Sequence, residues 1–126
     1  METERLTKRE TQIMNVLWSS NEPLSAHDIL VLAPELSRNT IQIVLKKLQT
    51  IGFIEVAGFG YNKNALTRTF KPIISQSQYI QSSLTEGTSY ALAMNFIQQT
   101  DNSELLDQLE QQIQEKKKEL SDHSAE

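Results

Sequence analysis

SAHDILVLAPELSRNTIQIVLKKLQTIGFIEVAGFGYNKNALTRTF, residues 25–70, is the stretch whose reading decides the fold. Its second helical segment has two faces that can be counted. Ser37 is a good N-cap, and Ile41, Val44, Leu45, Leu48 and Ile51 recur after it at helical spacing. Opposite them, Asn39, Gln42, Lys46 and Gln49 fall at offsets of three, seven and ten, a second face that points at solvent or a partner. Asn and Gln can pair bidentately with adenine, Thr40 can touch a base or a phosphate, and Lys46 and Lys47 can each meet a phosphate as a point charge. An ordinary surface helix carries the same residue types, so this face alone leaves both readings open. Ile43 sits off the core stripe, where packing against a hairpin or contact with a thymine methyl would each account for it.

Working outward, Pro23 and Leu24 lead into Ser25 as the N-cap of a preceding helix, with Asp28 completing a variant capping box and Ile29, Leu30 and Leu32 following. Pro34 enforces a turn between the two helices across Ala33 to Leu36. An upstream helix starts at Thr7, capped reciprocally with Glu10, and has Ile13, Val16 and Leu17 as its stripe and Trp18 as a core plug. Downstream, Gly52 fits a helix C-cap, and Phe53 to Val56 and Leu66 to Phe70 read as two short strands. Gly58, Gly60, Asn62 and Asn64 form a flexible tip, with Lys63 and Arg68 on or beside it. A plain surface hairpin would carry these cations too, but three helices followed by a hairpin is the order of a winged helix-turn-helix, which sets its second motif helix in the DNA major groove. The expected fold is mostly α with a small β-hairpin, a winged helix-turn-helix over residues 1–71 followed by a helical dimerisation region over 72–126.

In that second region, Ser75 to Leu84 predicts a short helix ending at Gly87 and burying Tyr79, Ile80 and Leu84. Thr88 to Gln98 predicts another, apolar around much of its circumference, with Leu92 and Phe96 among residues that something must cover. A last helix, from about Asn102 to Leu120, places Leu106, Leu109, Ile113 and Leu120 in an alternating three-and-four pattern that Lys116 interrupts. Packing onto the winged domain is one way to use these faces. A two-fold homodimer is favoured, with half-sites one helical turn or a multiple apart. Ser121 to Glu126 reads as a frayed polar tail.

Composition bounds the function. The 126 residues carry a formal charge of -4, unevenly divided: nine Lys or Arg against seven Asp or Glu in 1–71, and three against nine in 72–126. Basic charge is thus kept to the half that would face DNA, though weakly, which predicts modest non-specific affinity. No apolar run approaches a membrane span, and neither a leader pattern nor a cysteine is present, so a cytoplasmic protein without direct membrane binding is expected. His27 and His123 read as surface residues, and no catalytic, metal or cofactor constellation is nominated.

Four segments carry a family resemblance: LTKRETQIMNVLW at Leu6 to Trp18, PLSAHDI at Pro23 to Ile29, LSRNTIQIVLKKLQTIGFIEV at Leu36 to Val56, and TFKPIISQSQY at Thr69 to Tyr79. Together they resemble the penicillinase-repressor family of winged-helix repressors (BlaI/MecI/CopY type), with Ser37, Thr40, Ile41, Gly52, Phe70, Pro72 and Ser75 at its pattern positions. The resemblance implies a homodimeric repressor on a short inverted repeat of double-stranded DNA. By position, Asn39, Thr40, Gln42, Ile43, Lys46 and Lys47 would touch DNA, joined by Ser37 and Arg38 at the helix start and by Lys63 and Arg68 on the wing. Family members often carry a basic residue near Gln42 and a hydroxyl residue at Ile43, so the family's operator is not transferred. The copper-responsive branch carries cysteines near its C terminus, which this chain lacks. The β-lactam-responsive branch, linked to antibiotic resistance, is relieved when a membrane sensor-protease triggers cleavage of an Asn-Phe bond, and Asn95 and Phe96 stand at the corresponding place. Phe96 as an ordinary packing residue is the alternative there. A protein-interaction module or a regulator that binds an effector directly, without cleavage, is the alternative for the whole chain.

Overall fold

The computed structural model describes residues 5–62 and 65–124. Lys63 and Asn64 of the expected hairpin tip, and the last two residues of the expected tail, lie outside the described residues. The chain divides into two compact units, Met1–Ser83 and Leu84–Glu126.

The first unit begins with α1 (Lys8–Ser19), a two-residue strand β1 (Leu24–Ser25), α2 (Ala26–Leu32) and α3 (Arg38–Thr50). Both expected capping boxes form: Thr7 with Glu10 and Ser25 with Asp28, each hydroxyl accepting the N3 amide while the N3 carboxylate accepts the cap amide. Ser37 caps α3 as expected. At its other end the Gly52 N–H donates to Gln49 and the Phe53 N–H to the Leu48 carbonyl at 2.9 Å, with Gly52 at φ 80°. This is a Schellman closure, and Phe53 and Leu48, both buried, supply its apolar contact. It turns the chain directly into the sheet.

β2 (Ile54–Asn62) and β3 (Ala65–Pro72) form an antiparallel hairpin, with a register shift between Val56 and Gly58. β1 pairs with the other edge of β3, Leu24 opposite Phe70. The sheet order is β1-β3-β2, three strands where the sequence suggests two. The hairpin is also longer than expected: Gly58 to Asn62, read as a flexible tip, are paired strand residues. The core is the helical stripes closed by the sheet, with Ile13, Met14, Leu17, Ile29, Ile41, Leu45, Leu48 and Ile54 essentially inaccessible. Trp18 lies partly buried against this core.

Next comes α4 (Gln76–Gln81), capped by Ser75. It ends before Gly87, which belongs instead to the first turn of the following helix. Tyr79 packs on the core of the first unit, its ring 5.8 Å from those of Trp18 and Phe53, and its hydroxyl accepts the Leu6 N–H at 3.0 Å. The first compact unit therefore extends to Ser83, with this one aromatic tying α4 back to α1. Ile80, expected inside, is exposed.

The second unit holds α5 (Glu86–Gln99), capped by Thr85, and α6 (Ser103–Ser124). Neither helix has a buried residue, although both carry apolar stripes. α6 runs on to Ser124, through the first residues of the stretch expected to fray. Among the described residues no helix is long and apolar enough to cross a membrane.

Candidate nucleic-acid interface

Burial of Ile41, Val44, Leu45 and Leu48 fixes the rotation of α3 about its axis, and the opposite face is thereby turned outward. Arg38, Asn39, Gln42, Ile43, Lys46 and Lys47 are all exposed, and Ile43 keeps 61% of its surface in solvent. Such exposure of an aliphatic side chain leaves its methyl groups free for a partner.

Between α3 and β3 runs an open groove of about 680 Å³. Gln42, Ile43, Lys46 and Gln49 line one side, and Leu66, Thr67 and Arg68 the other. Its lining holds two cations and no carboxylate. The groove thus brings Gln42, Ile43, Lys46 and Arg68 together from two elements. The remaining named residues lie elsewhere. Ser37, Arg38, Asn39 and Thr40 stand at the N-terminal end of α3, and Lys47 is on α3 but outside the groove lining. The Ser37 hydroxyl accepts the Thr40 N–H at 3.0 Å and donates to the Thr40 hydroxyl at 2.8 Å, so this pair is engaged in capping. Leu66 and Thr67 were not singled out as site residues. The sequence reading already placed both in a strand beside Arg68, and only the packing of β3 against α3 brings them to the groove.

In the second unit, Phe96 of α5 and Leu105 and Leu109 of α6 line a separate groove of about 430 Å³. Leu92, Phe96, Ile113 and Leu120 are exposed, while Leu106 and Leu109 are half-buried. Asn95 and Phe96 lie inside α5, both exposed. One expectation is corrected. His27 is half-buried, not on the open surface, and its Nδ1 is shielded from solvent without a hydrogen-bond partner. The chain folds Leu24 onto the sheet just before α2, which draws the first turn of that helix inward. Among the described residues no cluster of His, Cys, Asp or Glu could hold a metal ion.

Three packed helices, an outward-facing third helix and a flanking antiparallel wing define a winged helix-turn-helix protein. The sequence matches the penicillinase repressor family over residues 6–115, and the chain belongs to that family. No curated protein matches the chain. Among solved structures it is similar to the peroxide-sensing regulator PerR of Streptococcus pyogenes, at 27% identity over 55% of this chain and 48% of that one, with a TM-score of 0.44. The chain thus spans about half the length of PerR. PadR of Bacillus subtilis in complex with operator DNA matches at 21% identity over 90% and 73%, with a TM-score of 0.48. The MarR family regulator NMB1585 of Neisseria meningitidis matches at 18% over 94% and 81%, with a TM-score of 0.43. These overlays are loose, and the assignment rests on the family match.

Proposed function

We propose that this repressor binds an inverted-repeat operator as a homodimer, with α3 in the major groove and the wing on the flanking backbone. The observation that carries it is the groove between α3 and β3, where two cations and two amide side chains converge without a carboxylate. Gln42 and Gln49 offer bidentate amides for base edges, and Ile43 an apolar surface for a thymine methyl. Lys46 and Arg68, with Arg38 and Lys47 along the same helix, supply the phosphate contacts. Asn39 and Thr40 extend the base-facing row, Ser37 holds the helix start, and Lys63, next to the wing in sequence, would add a further phosphate contact.

Leu92, Phe96, Leu106, Leu109, Ile113 and Leu120 supply the dimer surface. Without a covering partner, α5 and α6 leave apolar stripes in water that a two-fold interface would remove. Joining two DNA-binding units raises the effective concentration of the second, so cutting the Asn95–Phe96 bond would release DNA by separating them from their dimer surface. A membrane sensor-protease that responds to β-lactams would direct this cut, and the repressor itself would work in the cytoplasm.

Binding to duplex DNA by fluorescence anisotropy across a salt series tests the DNA contacts. Lys46→Ala should weaken binding and reduce the salt slope by about one unit, since one phosphate contact is lost. An unchanged slope and affinity would remove Lys46 from the interface. For relief, the sensor-protease in its activated state should yield two fragments separated at Asn95. An intact chain alongside DNA release would rule that route out.

A further inference from the structure

α2 is apolar on two sides. Ile29 and Ala33 are buried in the core and Leu30 packs against it, which is the ordinary use of one face. Val31 and Leu32 lie on the other side and keep 63% and 60% of their surface in solvent. Ala26 lines the groove beside α3 and so marks the side of α2 that faces it. Val31 and Leu32 stand five and six residues further on, which turns them roughly 140° and 120° away from Ala26 around the helix axis. A duplex seated on α3 would leave them uncovered.

Leu32 is the ridge between two open hollows. The first, of about 500 Å³, lies toward α1, where Gln12, Asn15 and Val16 line it with Leu32. The second, of about 410 Å³, is lined by Leu24, Val31 and Leu32 together with Glu22 and Asp28. Neither lining holds a Lys or Arg. Asp28 is committed to the Ser25 N–H at 2.9 Å, so the exposed Glu22 is the carboxylate presented at this end. At the other end the Gln12 side-chain amide donates to the Glu35 carboxylate, which holds a second exposed acid at the rim. An apolar centre is thus bracketed by two carboxylates.

We propose that this face docks an amphipathic helix of another protein, apolar along one side and flanked by Arg or Lys. Charge decides the class of occupant. The phosphates of DNA or of an anionic lipid surface meet repulsion at Glu22 and Glu35, whereas a cationic helix is attracted at both ends. Shape decides its form. Two hollows on either side of one ridge accept apolar side chains three or four residues apart on a helix, about 5–6 Å, which straddle Leu32. Guanidinium groups beside that pair reach Glu22 and Glu35 in charge-assisted hydrogen bonds. Because the face is turned away from the α3 groove, a protein can sit on it whether or not α3 holds DNA, and the proposal does not rest on the DNA-binding reading.

The test follows the Ile, Leu and Val methyl groups of the full chain by NMR. The probe is a synthetic helix of about 18 residues, with Leu at i, i+3, i+4 and i+7 on one side, Arg beside them and Ala or Gln elsewhere. It should shift the methyls of Val16, Leu24, Val31 and Leu32 saturably, and the same peptide with Glu in place of Arg should not. Val31→Gln with Leu32→Gln alters two exposed residues, so it should weaken binding about tenfold with an unchanged melting temperature. Glu22→Gln with Glu35→Gln keeps every apolar contact and should weaken binding several-fold while flattening its dependence on salt. No saturable shift, shifts confined to α5 and α6, equal binding of the Glu peptide, or variants that bind as wild type would each overturn the proposal. Shifts of these methyls with protein concentration alone, lost in the Gln pair, would assign the face to a second copy of the chain and overturn it as well.

Discussion

Trp18 donates its indole N–H to the Ile74 carbonyl at 2.9 Å, and so joins α1 to the segment leaving β3 across 56 residues. The Tyr79 ring packs against the same indole, and its hydroxyl receives the Leu6 N–H. Both ends of the first unit are therefore closed by one aromatic pair.

This pairing predicts where the DNA-binding half can be cut. A fragment ending at residue 83 should melt cooperatively, whereas one ending at 71 should lose several degrees, because Tyr79 is gone. In the full chain Tyr79→Phe should cost about 1 kcal/mol through the unpaired Leu6 amide, and Tyr79→Ala about 3 kcal/mol or more through lost packing. Thermal unfolding followed by circular dichroism measures all of these.

Gly52 gives a separate stability test. A Cβ there would meet nothing within 4 Å, so Gly52→Ala is penalised only for the left-handed φ, by about 1–2 kcal/mol. Urea denaturation should show an earlier midpoint with an unchanged slope. Because the Schellman closure aims β2, the same change should also weaken DNA binding by more than the unfolded fraction explains.

The dimer surface predicts a clean dissociation. Ile113 and Leu120 are exposed on α6, so Ile113→Lys with Leu120→Lys adds no buried charge within one chain. Sedimentation equilibrium should shift from two chains to one, with the helical circular dichroism signal of the first unit preserved. A pair of changes that leaves the mass at two chains would move the interface to other residues.

Cleavage in α5 requires the helix to open, since Asn95 and Phe96 lie within its regular hydrogen bonding. Gly87 lies in the first turn with open space around it. Gly87→Ala should raise helix stability by up to about 1 kcal/mol and slow proteolysis at Asn95 several-fold. Gel time courses with the activated sensor-protease read the rate directly.

The helices of the first unit were legible because their signals are local: Thr7 with Glu10, Ser25 with Asp28, Ser37 before its stripe, and Gly52 after it all act within one turn. The third strand was not, because Leu24 and Ser25 pair only through Phe70 and Thr69, more than forty residues away. The hairpin length was underestimated for a similar reason. Gly58 and Gly60 look like turn residues in sequence, and only the cross-strand ladder makes them strand. Gly87 misled as a helix stop, because Thr85 caps a new helix just before it. In the candidate interface, the polar face of α3 could be counted from its period, while Leu66 and Thr67 join it only through the fold.

The most direct test of the account is selection from a randomised duplex pool by the purified full-length protein, with anisotropy across a salt series on the retained fraction. The account predicts one short inverted repeat, bound by two chains, with half-sites about one helical turn or a multiple apart. Retention of no common sequence, with weak binding that salt erases, would contradict it.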